Sequence, residues 1–108
     1  MNSLKSLGEE IAEINKANGW KCLTPDEWNP DINPYKIPAV LMLITSEISE
    51  ALEAFRKRDR ENFEEELADT FIRLLDCTQG LGIDIESVIL DKMKKNRNRG
   101  YKHGGKVI

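Results

Sequence analysis

Four carboxylates in this chain fall into two pairs, Glu47-Ile-Ser-Glu50 and Glu66-Leu-Ala-Asp69. At a spacing of i, i+3 on a helix, both acids of a pair leave one face, a single turn apart. Projecting the first segment at about 100° per residue places Glu47 between Val40 and Leu43 on one side and Ile44 and Ala51 on the other, with Ala54 close by. Glu50 lies at the margin of that apolar face. Thr45, Ser46, Ser49, Glu53 and Arg56 take the solvent-type face. An ionised carboxylate in an apolar setting is costly unless a cation pairs with it or a metal binds it. The small Ala51 and Ala54 would leave room for either. The second pair is less decisive. Phe63, Leu67, Phe71 and Leu74 make one apolar stripe, widened by Ala68, Ile72 and Leu75, while Glu66, Asp69 and Arg73 share the remaining arc, which reads equally well as a wet face.

Two readings of the acids follow. In one, Lys or Arg neutralises them, and Arg73, Lys92 and Arg99 are the candidate partners. In the other, which the inward aim of Glu47 favours, they hold a divalent cation. Oxygen-only ligands select Mg²⁺, with Mn²⁺ as a substitute, and Mg²⁺ usually keeps waters and takes substrate phosphates as further ligands. Zinc does not fit, because His103 is the only histidine and Cys22 and Cys77 lack metal-type spacing. A di-iron bundle needs Glu-x-x-His pairs, which the chain lacks.

The last helical segment offers cations. Ile85, Val88 and Ile89 form a stripe that continues in line as Lys92, Asn96 and Arg99. Cations near a helix C-terminus are favoured by the helix dipole alone. Lysine and arginine are also natural phosphate partners. Beyond them Tyr101, Lys102, His103, Gly104, Gly105 and Lys106 make a polar tail that could fold over a ligand. Trp20, fixed beside Gly19, is read as a platform for a base, and Trp28 as a cover for the core.

These residues need elements to hold them. Leu4, Leu7, Ile11 and Ile14 mark a first helix over about 3–18. All four prolines and both tryptophans then fall within Trp20 to Pro38 without apolar period, which reads as a long ordered loop over 20–37. Helices are expected over about 38–57, 60–79 and 85–99, with Asp84 capping the last and a tail over 100–108. No strand pattern or internal repeat occurs. The fold expected is all-α, a single four-helix, bundle-like domain. Apolar groups cover more than half the circumference of the third helix, more than so small a bundle can hide, so a homodimer is expected to complete the core.

Composition narrows the classes further. Sixteen basic residues against 19 acidic give a net charge of -3, which is not the balance of a nucleic-acid-binding protein. The longest apolar run, Ile37 to Ile44, is too short to span a bilayer. Met1-Asn-Ser-Leu-Lys5 lacks the apolar core of a secretory signal, and the two cysteines lack metal or disulfide-rich patterning, so a reduced, cytoplasmic protein is expected.

Taken together, the chain resembles the MazG-like nucleotide pyrophosphohydrolases of the all-α NTP pyrophosphatase superfamily. Their signature, Glu-Glu-x-x-Glu followed after a gap by Glu-x-x-Asp, reads here as Ser46-Glu47-x-x-Glu50 and Glu66-x-x-Asp69. Asn18-Gly-Trp20, the run Lys92-Met-Lys-Lys-Asn96-Arg-Asn-Arg99 and His103-Gly-Gly-Lys106 are similar to the family's flanking patterns. Ser46 departs from the signature's first glutamate. The resemblance implies Mg²⁺-dependent hydrolysis of a nucleoside triphosphate to the monophosphate and pyrophosphate, in a homodimer or homotetramer. It implies Glu47, Glu50, Glu66 and Asp69 as metal ligands and catalytic residues. It also implies that Lys92, Asn96 and Arg99 contact phosphates, with Tyr101 also on the substrate and Trp20 near the base. The alternative is a non-enzymatic helical dimerisation or nucleotide-binding module with ion-paired acids. Neither reading calls for a nucleic-acid polymer or a membrane as partner.

Overall fold

A computed structural model describes residues 3–100. Its regular elements are α1 (Leu4–Ala17), a short 3-10 helix (Pro25–Trp28), α2 (Lys36–Arg56), α3 (Arg60–Gly80) and α4 (Ile85–Asn98). The described residues are all-helical, with four α-helices and no strand. None of these helices is long and apolar enough to cross a membrane.

Local chemistry explains most of the boundaries. The Ser3 side chain accepts from the Ser6 amide and the Ser6 hydroxyl takes the Ser3 amide, a reciprocal cap that starts α1. Gly19, at φ 86°, turns the chain out of α1 where a side chain would be strained. In the loop the Glu27 carboxylate takes the Thr24 amide at 2.9 Å and fixes the 3-10 turn. α2 begins at Lys36, two residues before the expected start, because Pro38 sits in its first turn, where no amide hydrogen is needed. Arg58 takes a left-handed conformation, φ 57°, to reverse the chain in a short link, and Asp59 caps α3 through the Asn62 amide. So short a link makes α2 and α3 antiparallel neighbours. Asp84 caps α4 through the Ser87 amide, as the sequence indicates.

α3 is the central helix and packs against α1, α2 and α4. The buried apolar set is small: Leu23, Ala51, Ala54, Leu75 and Cys77. Among the described residues no large side chain is fully buried. Leu41, Ile48, Leu52 and Phe55 of α2 and Phe71 of α3 remain exposed. Trp28, expected to cover the core, is 75% exposed among the described residues. The 3-10 helix that carries it is held instead by Glu27, whose carboxylate meets Lys36 Nζ at 3.1 Å.

Candidate functional site

Glu47 stands midway along α2 on the one face of that helix that is buried, together with Ala51 and Ala54. Alanine side chains there let α3 approach closely. The arc of α3 that reads equally well as a wet face is only partly withdrawn toward α2, since Asp69 and Arg73 stay exposed. Glu66 is half-buried and Thr70 buried, whereas Phe71 of the apolar stripe is 62% exposed. A carboxylate oxygen from each of Glu47, Glu66 and Asp69 lies within 4.8 Å of the other two. Glu50 is exposed and outside this trio. Its carboxyl nevertheless bears on Glu66.

The electrostatics are unbalanced. Arg73 Nε donates to Glu47 Oε1 at 2.8 Å, and this is the one ion pair formed by the cluster among the described residues. That bond, with a further one from Glu66, holds the Glu47 carboxyl below the usual carboxylate range despite its burial. Glu66 moves the other way. The nearby carboxyls of Glu50 and then Glu47, followed by burial, push its pKa up to about 7. Glu66 Oε2 is closed off from solvent and has no hydrogen-bond partner. A closed-off oxygen with no donor is one that a proton, a water or a cation can satisfy.

The donor set fits a hard divalent ion. Two oxygens bound to one such ion at about 2.1 Å stand at most about 4.2 Å apart, so the trio needs only a small inward adjustment. No histidine or cysteine joins it among the described residues. The Cys22 thiol lies against Asp76 Oδ1 at 3.6 Å instead, and Cys77 is buried.

Two of the acids, Glu47 and Asp69, line a cleft of about 600 Å³, and Glu66 lies behind them off its lining. Its lining includes Glu47 from α2, Asp69, Arg73 and Asp76 from α3, and Trp20 and Lys21 from the loop. The Trp20 amide is tied to the Asn15 carbonyl at 2.9 Å, while its ring is 71% exposed. An apolar ring thus shares the lining of this cleft with carboxylates and a guanidinium. A model of the MazG nucleotide pyrophosphohydrolase domain matches residues 37–103, from the first turn of α2 onward.

The chain belongs to the MazG nucleotide pyrophosphohydrolase domain family.

No curated protein and no solved structure matches the chain significantly. The MazG match spans both acid pairs and Arg73, whereas α1 and the loop that brings Trp20 and Lys21 to the cleft precede it. Ser46, at the signature's first position, is exposed, and its hydroxyl is spent on the Leu43 carbonyl at 2.7 Å, away from the acids.

Lys92, Asn96 and Arg99 lie exposed on α4 and do not line the acid cleft of their own chain. The helical stripe correctly groups them, but α4 packs against α1 and α3, with Glu86 accepting from the Leu4 amide at 3.1 Å. Tyr101 lies outside the described residues. Conversely, Lys21 enters the cleft without having been singled out, and Arg73 had been considered only as a neutralising partner. The signal for Arg73 was available: it stands four residues after Asp69 and seven after Glu66, on one face of α3.

Proposed function

We propose that this chain is a Mg²⁺-dependent nucleoside triphosphate pyrophosphohydrolase, releasing a nucleoside monophosphate and pyrophosphate from ribo- or deoxyribonucleotides. The observation that carries the reading is the partnerless buried oxygen of Glu66 inside a carboxylate trio, two of whose members, Glu47 and Asp69, line a nucleotide-sized cleft. Glu47, Glu66 and Asp69 would hold the ion, and Glu50, one turn after Glu47, would complete its protein ligands. Mn²⁺ can replace Mg²⁺ on the same oxygens. When bound, the ion neutralises charge on the phosphate chain and polarises the attacked phosphorus. Trp20 stacks on the base, a contact worth about 1–3 kcal/mol in nucleic-acid systems. The proton released by the attacking water passes to a carboxylate of the cluster.

Lys92, Asn96, Arg99 and Tyr101 belong to this reading as phosphate and substrate contacts. Since α4 does not line the cleft of its own chain, they reach a substrate from a second copy, in a homodimer or homotetramer whose interface covers the exposed apolar residues of α2 and α3.

One observation favours the other reading, a helical module with ion-paired acids: the bond between Arg73 and Glu47. It neutralises one acid of the cluster and leaves Glu66 without a partner for Oε2, so it is the weaker account. A screen of nucleoside triphosphates with Mg²⁺, followed by chromatography of the products, separates the two. Monophosphate and intact pyrophosphate are expected. Diphosphate plus orthophosphate refutes the bond assignment. No turnover of any nucleotide, with no rise in melting temperature on adding Mg²⁺ and nucleotide, leaves the module.

A further inference from the structure

The cations that line the acid cleft among the described residues are Lys21 and Arg73, one from the loop and one from α3. Arg73 is the one in contact with a candidate metal ligand. Its Nε is hydrogen-bonded to Glu47 Oε1, and its side chain is 42% exposed, so the guanidinium has open space to move into. No other hydrogen bond holds it to the described residues.

From this placement we infer that Arg73 is the counter-ion a divalent cation must displace, and the group that then grips the phosphate chain. Glu47 Oε1 is a shared resource. A cation seated between Glu47, Glu66 and Asp69 competes with the guanidinium for that carboxylate and repels it. A phosphate chain entering the cleft resolves the conflict, because the planar fork of arginine matches phosphate oxygens at least as well as a carboxylate. Metal and phosphate therefore bind cooperatively, with Arg73 as the coupling element, and the coupling is reciprocal. The cation binds weakly alone and tightly with the phosphate chain. The phosphate half of this inference rests on the hydrolase reading above. The competition half rests only on the geometry of Arg73 and Glu47.

The test needs no turnover. Mn²⁺ alone is titrated by electron paramagnetic resonance into the wild type, Arg73→Gln and Arg73→Lys. Arg73→Gln removes the competing charge and should bind Mn²⁺ roughly tenfold more tightly, a coupling of ordinary size. Arg73→Lys keeps the charge and should stay near the wild type. The preformed Mn²⁺–tripolyphosphate complex, titrated calorimetrically, should show the opposite order, with Arg73→Gln the weakest. A merely structural arginine moves both affinities the same way. Unchanged or weaker Mn²⁺ binding by Arg73→Gln, with its helices intact by circular dichroism, overturns the inference. The wild type supplies a second readout should that variant not fold. Its Arg73 Nε–H nuclear resonance should shift on adding Mg²⁺ and again on adding tripolyphosphate, and a resonance that ignores Mg²⁺ overturns the inference equally. Failure of the hydrolase reading is distinguishable: no nucleotide is turned over, yet the Mn²⁺ order and the Mg²⁺-induced shift persist.

Discussion

Leu23 lies directly on Gly80. A Cβ built on Gly80 would stand 2.7 Å from the Leu23 carbonyl oxygen, 2.9 Å from its Cβ and 3.0 Å from its amide nitrogen. The last residue of α3 thus seats the strap that follows Trp20 and Lys21, and Leu23 is buried there. Lys36 holds the same strap from α2, reaching the Cys22 carbonyl at 3.5 Å and Glu27 at 3.1 Å.

Gly80→Ala should therefore destabilise the protein. Alanine gains up to about 1 kcal/mol over glycine in a helix. The overpacking against backbone atoms costs about 1–3 kcal/mol, and backbone yields less readily than a side-chain tip. We expect a lower melting temperature and a raised KM, because Trp20 moves with the strap. A melting temperature equal to or above wild type contradicts the close seating.

Glu47→Gln should reduce Mg²⁺-dependent pyrophosphate release by on the order of 100-fold or more, by analogy with the 10–100-fold effects of losing a mere supporting partner of a ligand. The fold should survive, since the Arg73 left behind is partly exposed and water can solvate it. Glu53→Gln is the control. Its pair with Arg56, at 2.9 Å, is exposed on both sides and is worth less than about 1 kcal/mol. Full activity in Glu47→Gln removes the metal assignment.

Stability without metal should depend on pH in a defined window. Glu66 titrates near 7 in the folded chain against 4.5 ordinarily, raised first by Glu50 and then by Glu47. Between those values the folded chain binds more protons than the unfolded one, so this contribution to stability is full below about 4.5 and is lost as pH rises through 7. Glu47, Glu27 and Asp84 are shifted downward, so their contributions are lost only on the acid side, below the ordinary carboxylate range. Melting temperatures in a chelator should fall from pH 5 to pH 8, and Mg²⁺ or Glu66→Gln should flatten the fall. A curve that rises through that interval rules out the protonated Glu66.

Assembly and the role of α4 stand or fall together. The exposed Leu52, Phe55 and Phe71 should be covered by a second copy, giving at least twice the monomer mass by light scattering at micromolar concentration. Lys92→Met should then weaken substrate use with no loss of stability, as Lys92 is exposed on α4. A monomer with full activity leaves Lys92, Asn96 and Arg99 no route to the cleft.

Periodicity alone places Glu47 on the inward face of α2 beside Ala51 and Ala54, because a helix fixes the angles between its own side chains. Residue type then points to a hard cation, and the two acid pairs to the family. What periodicity lacks is any term for which face meets which helix. On α3 the sequence leaves the inner face undecided, and in the fold Leu75 of the apolar set is buried and Phe71 exposed, while Glu66 and Thr70 turn inward. A stripe records what avoids water, and a second copy can provide that cover as well as α2 can. The bond from Arg73 to Glu47 joins residues 26 positions apart, so it exists only once α2 and α3 are paired. The loop's return over the cleft, which carries Trp20 and Lys21 to the acids, depends on Leu23 seating on Gly80. Lys92, Asn96 and Arg99 share a stripe as read, but the packing of α4 on α1 and α3 leaves them off the cleft of their own chain. Angles within one helix are local and follow from the sequence; the choice of neighbour is a competition among surfaces, and only the folded chain decides it.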